Sequence, residues 1–337
     1  MNRTRPAGAL STPARITAIG SYVPDQVLSN ADLERMVDTN DEWIVQRTGI
    51  SERRIAADGQ FTSSLCIEAV RDLLRRYPRA IDDVDYILVA TATPDMSFPS
   101  TAALVQAEFG MRRAGTADLS AACAGFVSAL HMAGGLIAGG AFRKILVLGA
   151  ETLSRITDYT DRTTCILFGD GAGAVLVEAG EPDEERSWLA AHAATDGLDG
   201  HQLYRAATAD RIGGQAVDIG GKLVQNGRAV YRWAVSRVPE EIGAFLDEAG
   251  VSPEEIDWFV PHNPNMRILE AMSGRTGIPL ERTVTTLART GNTSAASIPI
   301  ALREAAADGR LQPGQLVLLY GFGGGLTQAG LLLRWTL

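Results

Sequence analysis

The stretch Leu119-Ser120-Ala121-Ala122-Cys123-Ala124-Gly125-Phe126 decides how the rest of the chain is read. A single cysteine stands among small residues, directly ahead of Phe126-Val127-Ser128-Ala129-Leu130-His131-Met132. That apolar, almost uncharged run predicts a buried helix. Small residues permit a sharp strand-to-helix turn, so the helix opens near Cys123. A thiol at a helix N-terminus meets unpaired N–H groups and the positive end of the helix dipole. Both favour thiolate, the nucleophilic form. Taken alone, the octet fits a small buried core cysteine equally well. What lies on either side breaks the tie.

The chain has 337 residues, 46% apolar and 21% charged, enough for two ordinary domains or one large one with a sizeable core. Cys66, Cys123 and Cys165 are odd in number and scattered, with no CxxC spacing. That pattern argues against a disulfide framework or a zinc site, so no metal is expected, and the setting reads as reducing and cytoplasmic. Residues 1–14 carry arginines and prolines without an apolar core, so they read as a flexible extension, not a signal peptide or membrane span. Elsewhere the apolar runs are too short and too interrupted by glycine to cross a bilayer. A net charge of -9 argues against nonspecific nucleic-acid binding. Any acidic partner must meet a local basic patch, and Arg228, Arg232 and Arg237 in the helical region 228–250 supply one.

Upstream, 15–23 reads as a strand, Ser29 as a helix cap, 62–77 as an amphipathic helix and 84–93 as a buried strand closed by Pro94. In Asp41-Glu42-Trp43-Ile44-Val45-Gln46-Arg47-Thr48-Gly49-Ile50 the tryptophan and arginine are four apart and share a helix face. The spacing fits a plain surface helix, and also a platform with a cation beside it for an aromatic ring and a phosphate. Downstream, 144–149 is a further strand. Phe168-Gly169-Asp170-Gly171-Ala172-Gly173-Ala174 is a glycine-rich turn feeding a strand; a dinucleotide fingerprint would feed a helix. A charged turn at 181–186 marks the midpoint, and the glycine-rich 205–222 reads as a surface flap.

The two halves echo each other. Val84-Asp85-Tyr86-Ile87 resembles Ile256-Asp257-Trp258-Phe259; Ser128-Ala129-Leu130 resembles Ile300-Ala301-Leu302; Lys144-Ile145-Leu146-Val147-Leu148-Gly149 resembles Leu316-Val317-Leu318-Leu319-Tyr320-Gly321. All three pairs lie 172 residues apart, which points to a duplicated α/β unit, 15–185 and 186–337. The glycine turn at 168–174 resembles 321–327 at a smaller offset, so the first half carries an insertion between 150 and 167. Two sheets with helices between and outside them would bury these uncharged segments. Facing halves would also bring equivalent turns to one centre. His262 follows the strand Trp258-Phe259-Val260-Pro261, and Asn292 stands near the counterpart of Cys123. Singly they read as a core histidine and a helix cap. Together, Cys123, His262 and Asn292 form a constellation for acyl chemistry.

These segments resemble the β-ketoacyl-ACP synthase III family of thiolase-fold condensing enzymes, over nearly the whole chain. The likeness rests on Asp41-Glu42-Trp43-Ile44, Arg47-Thr48-Gly49-Ile50, Ala121-Ala122-Cys123-Ala124-Gly125-Phe126, the turn 168–174, Gly291-Asn292-Thr293-Ser294 and Gly323-Gly324-Gly325. The resemblance implies an α/β fold of two pseudo-duplicated halves in five layers, αβαβα. It implies that Cys123 takes an acyl group from acyl-CoA, with no permanently bound cofactor. A malonyl unit on acyl carrier protein then loses carbon dioxide and attacks the thioester, while His262, donating from Nε2, and Asn292 hold the enolate oxygen. The N–H groups of Cys123 and Gly324 form the oxyanion hole. Trp43, Arg47, Arg162 and Asn265 take CoA, Arg232 and Arg267 meet the carrier protein, and Phe98 crosses a homodimer interface to close the partner's acyl pocket. Asn263-Pro264 and Gln328 depart from the family pattern near the tunnel, which points to a specialised polyketide pathway over fatty-acid initiation. The alternative is an acyltransferase that passes the group from Cys123 to a hydroxyl, amine or carrier thiol without condensation; a noncatalytic partner subunit would have no use for the thiol.

Overall fold

The computed structural model of the chain describes residues 8–181, 184 and 186–337. The chain enters through β1 (Gly8–Thr12) and β2 (Ala14–Tyr22). A small hairpin of β3 (Gln26–Ser29) and β4 (Glu52–Ile55) then encloses α1 (Asn30–Glu34) and α2 (Asp41–Thr48). Next come α3 (Thr62–Arg76), β5 (Tyr86–Ala90), α4 (Thr101–Glu108), β6 (Gly115–Leu119), α5 (Gly125–Ala138), β7 (Lys144–Thr152) and β8 (Asp170–Ala179). The first sheet runs β2-β8-β7-β5-β6.

The second half opens with β9 (Trp188–Thr195). Four two-residue strands, β10 (Leu203–Tyr204), β11 (Arg211–Ile212), β12 (Gln215–Ala216) and β13 (Val224–Gln225), then form two small ladders in the glycine-rich segment. After them follow α6 (Gly227–Ala249), β14 (Trp258–Pro261), α7 (Met266–Thr276), α8 (Leu287–Thr290), α9 (Ser297–Ala307), β15 (Leu316–Gly323) and β16 (Thr327–Arg334). The second sheet runs β1-β9-β16-β15-β14.

Five layers result. α3 and α4 cover the outer face of the first sheet, and α6 and α7 cover that of the second. Between the sheets lie α5 and α9, whose Phe126, Val127, Leu130, Ile298 and Leu302 pack against strands of both halves. That is why these two helices are apolar over most of their surface, with water reaching positions such as Met132 and Ala138 of α5 and Ala307 of α9. Each such side chain contributes about 1.5–3 kcal/mol on burial.

The register makes the duplication exact in its leading strands. Tyr86 pairs with Ile145 and Trp258 with Val317, both parallel and both displaced by 172. On the returning strands Lys144 pairs with Glu178 and Leu316 with Arg334, so the offset drops from 172 to 156. The first half therefore carries sixteen extra residues between β7 and β8. The match of 168–174 to 321–327 is corrected by three residues, because glycine runs have no side chains to fix a register.

The edges differ. β6 is echoed in the second half only by an isolated bridge between Phe259 and Thr283. On the opposite edge, β1 pairs antiparallel with β9. Residues 8–12 are thus not the flexible extension expected of 1–14; the open edge of β9 offers backbone groups that they take up. Residues 1–7 lie outside the described residues.

Candidate active site

Two equivalent turns meet at the centre. Ala122 and Ser294, 172 apart, both hold a left-handed backbone, with φ of 43° and 47°. For residues with a Cβ this costs about 1 kcal/mol or more, and such outliers gather at functional sites. Each turn is pressed by a glycine of the other half's leading strand. A Cβ on Gly321 would stand 2.7 Å from the Ala124 Cα, and one on Gly149 would stand 2.2 Å from the Ala295 carbonyl oxygen. At Gly323 a Cβ would lie 2.9 Å from the Cys123 Sγ. Only glycine lets these strands approach so closely.

Cys123 lies in a 3-10 turn (Ala122–Ala124), and α5 begins two residues later at Gly125. The residue is 8% exposed. Burial pushes its thiol up to about 12, while the Ser294 hydroxyl and the N–H groups of Cys123 and Gly324 pull the other way. The expectation of a resting thiolate is therefore corrected: desolvation outweighs the helix terminus, and the resting group is a thiol.

His262 follows β14, its own N–H donating to the Tyr320 carbonyl at 2.8 Å. Its Nδ1 lies 2.9 Å from Ser297 Oγ. Ser297 donates its one proton to the Ser294 carbonyl at 2.8 Å, so its oxygen can only accept from Nδ1, and the network assigns the Nδ1–H tautomer. Burial lowers the imidazole to about 3, so it is neutral. Nε2 thus carries a lone pair. The donation from Nε2 to an enolate oxygen that the resemblance implies therefore requires that nitrogen to take up a proton first.

Asn292 is fixed by backbone bonds to Leu167 and Gly169, at the end of the first half's insertion. Its Oδ1 accepts from the Ser294 N–H at 2.9 Å, which leaves the Nδ2 protons for the site. Cys123, His262, Asn292 and Gly324 all line one cavity of about 1970 Å³. At its wall, Arg162 and Arg47 stand 5.1 and 5.6 Å from the Trp43 ring centre. Asn265, Arg232 and Arg267 also line it. The Asn265 side chain caps α7 and ties it to the Arg47 carbonyl. Arg237, grouped with Arg228 and Arg232 on sequence, instead pairs with Glu241 at 2.7 Å. Phe98 is 85% exposed and does not line the cavity. Among the described residues no cluster of His, Cys, Asp or Glu could hold a metal, and no helix is long and apolar enough to cross a membrane.

Comparison with known proteins settles the kinship. Residues 117–197 match the model of 3-oxoacyl-[acyl-carrier-protein (ACP)] synthase III, and 246–335 match its C-terminal model. The chain is 57% identical over 323 residues to beta-ketoacyl-[acyl-carrier-protein] synthase III 2 of Halalkalibacterium halodurans, covering 96% of this chain and 97% of that one. The crystal structure of the Thermus thermophilus synthase III superposes with a TM-score of 0.91 at 46% identity, covering 95% and 99%. The chain belongs to the β-ketoacyl-ACP synthase III family. Its fold is accordingly the thiolase type, and it is an enzyme of the acyltransferase class. A priming β-ketosynthase from the R1128 polyketide pathway also superposes, with a TM-score of 0.88 at 32% identity, covering 99% and 98%.

Of the residues Asn263-Pro264 and Gln328, two are held inside the structure by hydrogen bonds. Asn263 is buried, with Nδ2 donating to the Pro261 carbonyl and Oδ1 accepting from the Thr286 N–H. Gln328 accepts from the Tyr320 hydroxyl at 3.0 Å. Neither lines the cavity, although Pro264 does. Sequence reasoning missed Ser294 and Ser297. The signal for Ser294 was its place two residues beyond Asn292 at the head of the repeated turn. Through its N–H, hydroxyl and carbonyl it touches the environment of Asn292, Cys123 and His262.

Proposed function

We propose that this synthase III takes an acyl group from acyl-CoA onto Cys123 and condenses it with malonyl-ACP, with loss of carbon dioxide, to start a fatty-acid chain. The observation that carries this is a buried thiol, an imidazole with a bare Nε2 and a carboxamide with free N–H donors on one cavity wall. The Cys123 proton passes to Nε2, and sulfur attacks the thioester carbonyl. The N–H groups of Cys123 and Gly324 hold the oxyanion, and CoA leaves as thiolate. The imidazolium then donates, beside Asn292, to the enolate oxygen formed when the malonyl carboxylate departs as carbon dioxide. Carbon–carbon bond formation expels the Cys123 sulfur, which recovers its proton from His262. Charge and protons balance, and no resident cofactor enters, since the acyl group travels on the protein itself.

CoA enters past Trp43, Arg47, Arg162 and Asn265, and the acidic carrier protein docks at Arg232 and Arg267, both exposed in a chain of net charge -9. We also infer a homodimer in which exposed Phe98 reaches the partner's pocket, since β6 next to that loop pairs with β5 alone. A cytoplasmic setting fits three free, buried cysteines. Identity of 57% to a synthase III, against 32% to the polyketide priming enzyme, favours fatty-acid over specialised synthesis. The Nδ2 donors of Asn292 favour condensation over simple acyl transfer, which makes no enolate.

Intact-mass spectrometry with a panel of acyl-CoAs tests the first half. An adduct is expected on the wild type and none on Cys123→Ala. With malonyl-ACP, stoichiometric carbon dioxide and a β-ketoacyl product are expected; an adduct without either would leave the acyl-transfer alternative standing.

A further inference from the structure

One buried charge has no part in these steps. Arg53, on β4, is fully buried. Its Nε donates to the Ile166 carbonyl at 2.9 Å, Nη2 donates to that same oxygen, and Nη1 donates to Asn30 Oδ1. Asn30 is fixed in turn, its Nδ2 donating to Asp41 Oδ1 at 2.7 Å and to the Ile50 carbonyl at 3.0 Å. Among the described residues no carboxylate makes an ion pair with Arg53, and Asp41 is reached only through the Asn30 amide. Burial pulls the guanidinium down to about 10, which leaves it charged at neutral pH. A buried cation without a counter-ion is unfavourable, more so than an apolar side chain of the same length. What this cation does locally is grip one carbonyl with two prongs of a planar fork.

That carbonyl stands next to the site. Leu167, one residue on, accepts the Asn292 N–H at 2.8 Å, and the Gly169 N–H donates to the Asn292 carbonyl at 3.0 Å. The Asn292 backbone thus hangs on 167–169, and Arg53 anchors the residue just before. The same arginine meets Asn292 from its other neighbour. A Cβ on Gly291, where φ is 66°, would stand 2.9 Å from the Arg53 Cγ and 2.9 Å from the Leu167 carbonyl oxygen. Just ahead of β4, the Ser51 N–H donates at 2.9 Å to the Ala288 carbonyl of α8, the helix that leads to Gly291. One side chain therefore braces both sides of the Leu167–Asn292 junction.

We propose that Arg53 is a positioning residue for Asn292: it locks Ile166 against Gly291 and so holds the Asn292 Nδ2 donors where the enolate oxygen forms. Arg53 does not line the cavity, so loading of Cys123 does not depend on it. The proposal rests on Asn292 as the donor in condensation and adds what keeps that donor in place. The test separates the two half-reactions. Loading is read by intact-mass spectrometry with acetyl-CoA and isobutyryl-CoA, and condensation by carbon dioxide release from malonyl-ACP on the loaded protein. Arg53→Met exchanges the buried charge for an apolar chain of similar length. It should slow condensation about 10- to 100-fold, the usual effect of a donor misplaced by about 1 Å, with loading within about threefold of the wild type. Arg53→Lys keeps the charge without the fork and should fall between the two. In an Asn292→Ala background, Arg53→Met should slow condensation no further, because the donor it places is gone. Equal losses in both half-reactions, or a further loss in that background, would give Arg53 a merely structural role and overturn the proposal. Should Arg53→Met not fold, Arg53→Lys and Asn30→Ala, which removes the acceptor of Nη1, decide the matter: condensation at the wild-type rate in both overturns it. Condensation undiminished in Asn292→Ala would instead remove the donor role of Asn292, and this proposal with it.

Discussion

The turns Ala122-Cys123-Ala124 and Ser294-Ala295-Ala296 share a left-handed first residue, a central helix behind them and a glycine from the opposite half against them. They differ in what the middle residue meets. Cys123 opens onto the cavity because the β15–β16 connection above it is glycine, whereas the Ala295 methyl is sealed at 1% exposure. The surrounding residues diverge in the same sense. In the mechanism proposed above, the second half supplies the base His262 and the donors Asn292 and Gly324, and the first supplies the sulfur and N–H of Cys123. Duplication built the scaffold twice, and that proposal divides the chemistry between the copies.

Moving the sulfur breaks that comparison most severely. In Cys123→Ala/Ala295→Cys the thiol sits in an equivalent turn but faces packed backbone. Acyl adduct formation from acyl-CoA should fall at least ~10³-fold, as for loss of any nucleophile. An adduct on residue 295 in intact-mass spectra would mean that the turns are chemically interchangeable. Asn292→Ala should act on one half-reaction alone. Condensation with malonyl-ACP should drop about 10²–10³-fold, the usual cost of one oxyanion donor, with the Cys123 adduct forming at the wild-type rate. Its first-half counterpart, the exposed Ser120, should change condensation less than about twofold when replaced by alanine. Equal losses from both would erase the division of labour.

The paired glycines sharpen the structural side. Gly149→Ala and Gly321→Ala each push a methyl into backbone of the opposite turn, at 2.2 and 2.7 Å. Each should destabilise by about 1–3 kcal/mol in urea melts, the cost of overpacking. The second should also slow acylation, because the atoms it meets belong to Ala124 and Cys123. Gly149→Ala should leave acylation nearer normal relative to its stability loss. A reversed order would mean that the Ala295 turn governs the nucleophile.

Much of this was legible in the sequence. The 172-residue offset is visible because β5, β7 and the first turns of α5 are largely buried and so leave uncharged runs that their copies repeat. Cys123, His262 and Asn292 stood out because each falls where an element ends. The protonation of Cys123 was not legible, since the octet displays a helix start but not the atoms overhead that remove water. Ser297 was hidden for a related reason. It fixes the histidine tautomer across 35 residues, a partner that only the folded register brings together. Strand β1 escaped notice because an edge strand is recruited by the sheet it joins, not by its own pattern.

The sixteen-residue insertion is the plainest difference between the halves, and Arg162 is its most exposed consequence. With Asp38 3.5 Å from its guanidinium, Arg162 leans on Trp43 at 5.1 Å. A base stacked between ring and guanidinium needs roughly 7 Å, two van der Waals layers. If a CoA base stacks there as proposed, Arg162 withdraws by about 2 Å and exchanges one cation–π contact for another. Its net contribution is accordingly small, no more than about 1 kcal/mol at an exposed site. Arg162→Ala should raise KM for acyl-CoA about three- to fivefold with kcat unchanged, because the contact is equal in ground and transition states. Acyl-pantetheine, which lacks the base, should be turned over equally by both proteins. A matching loss with that truncated thioester would show that the insertion serves Asn292, whose backbone it holds through Leu167, and not the nucleotide.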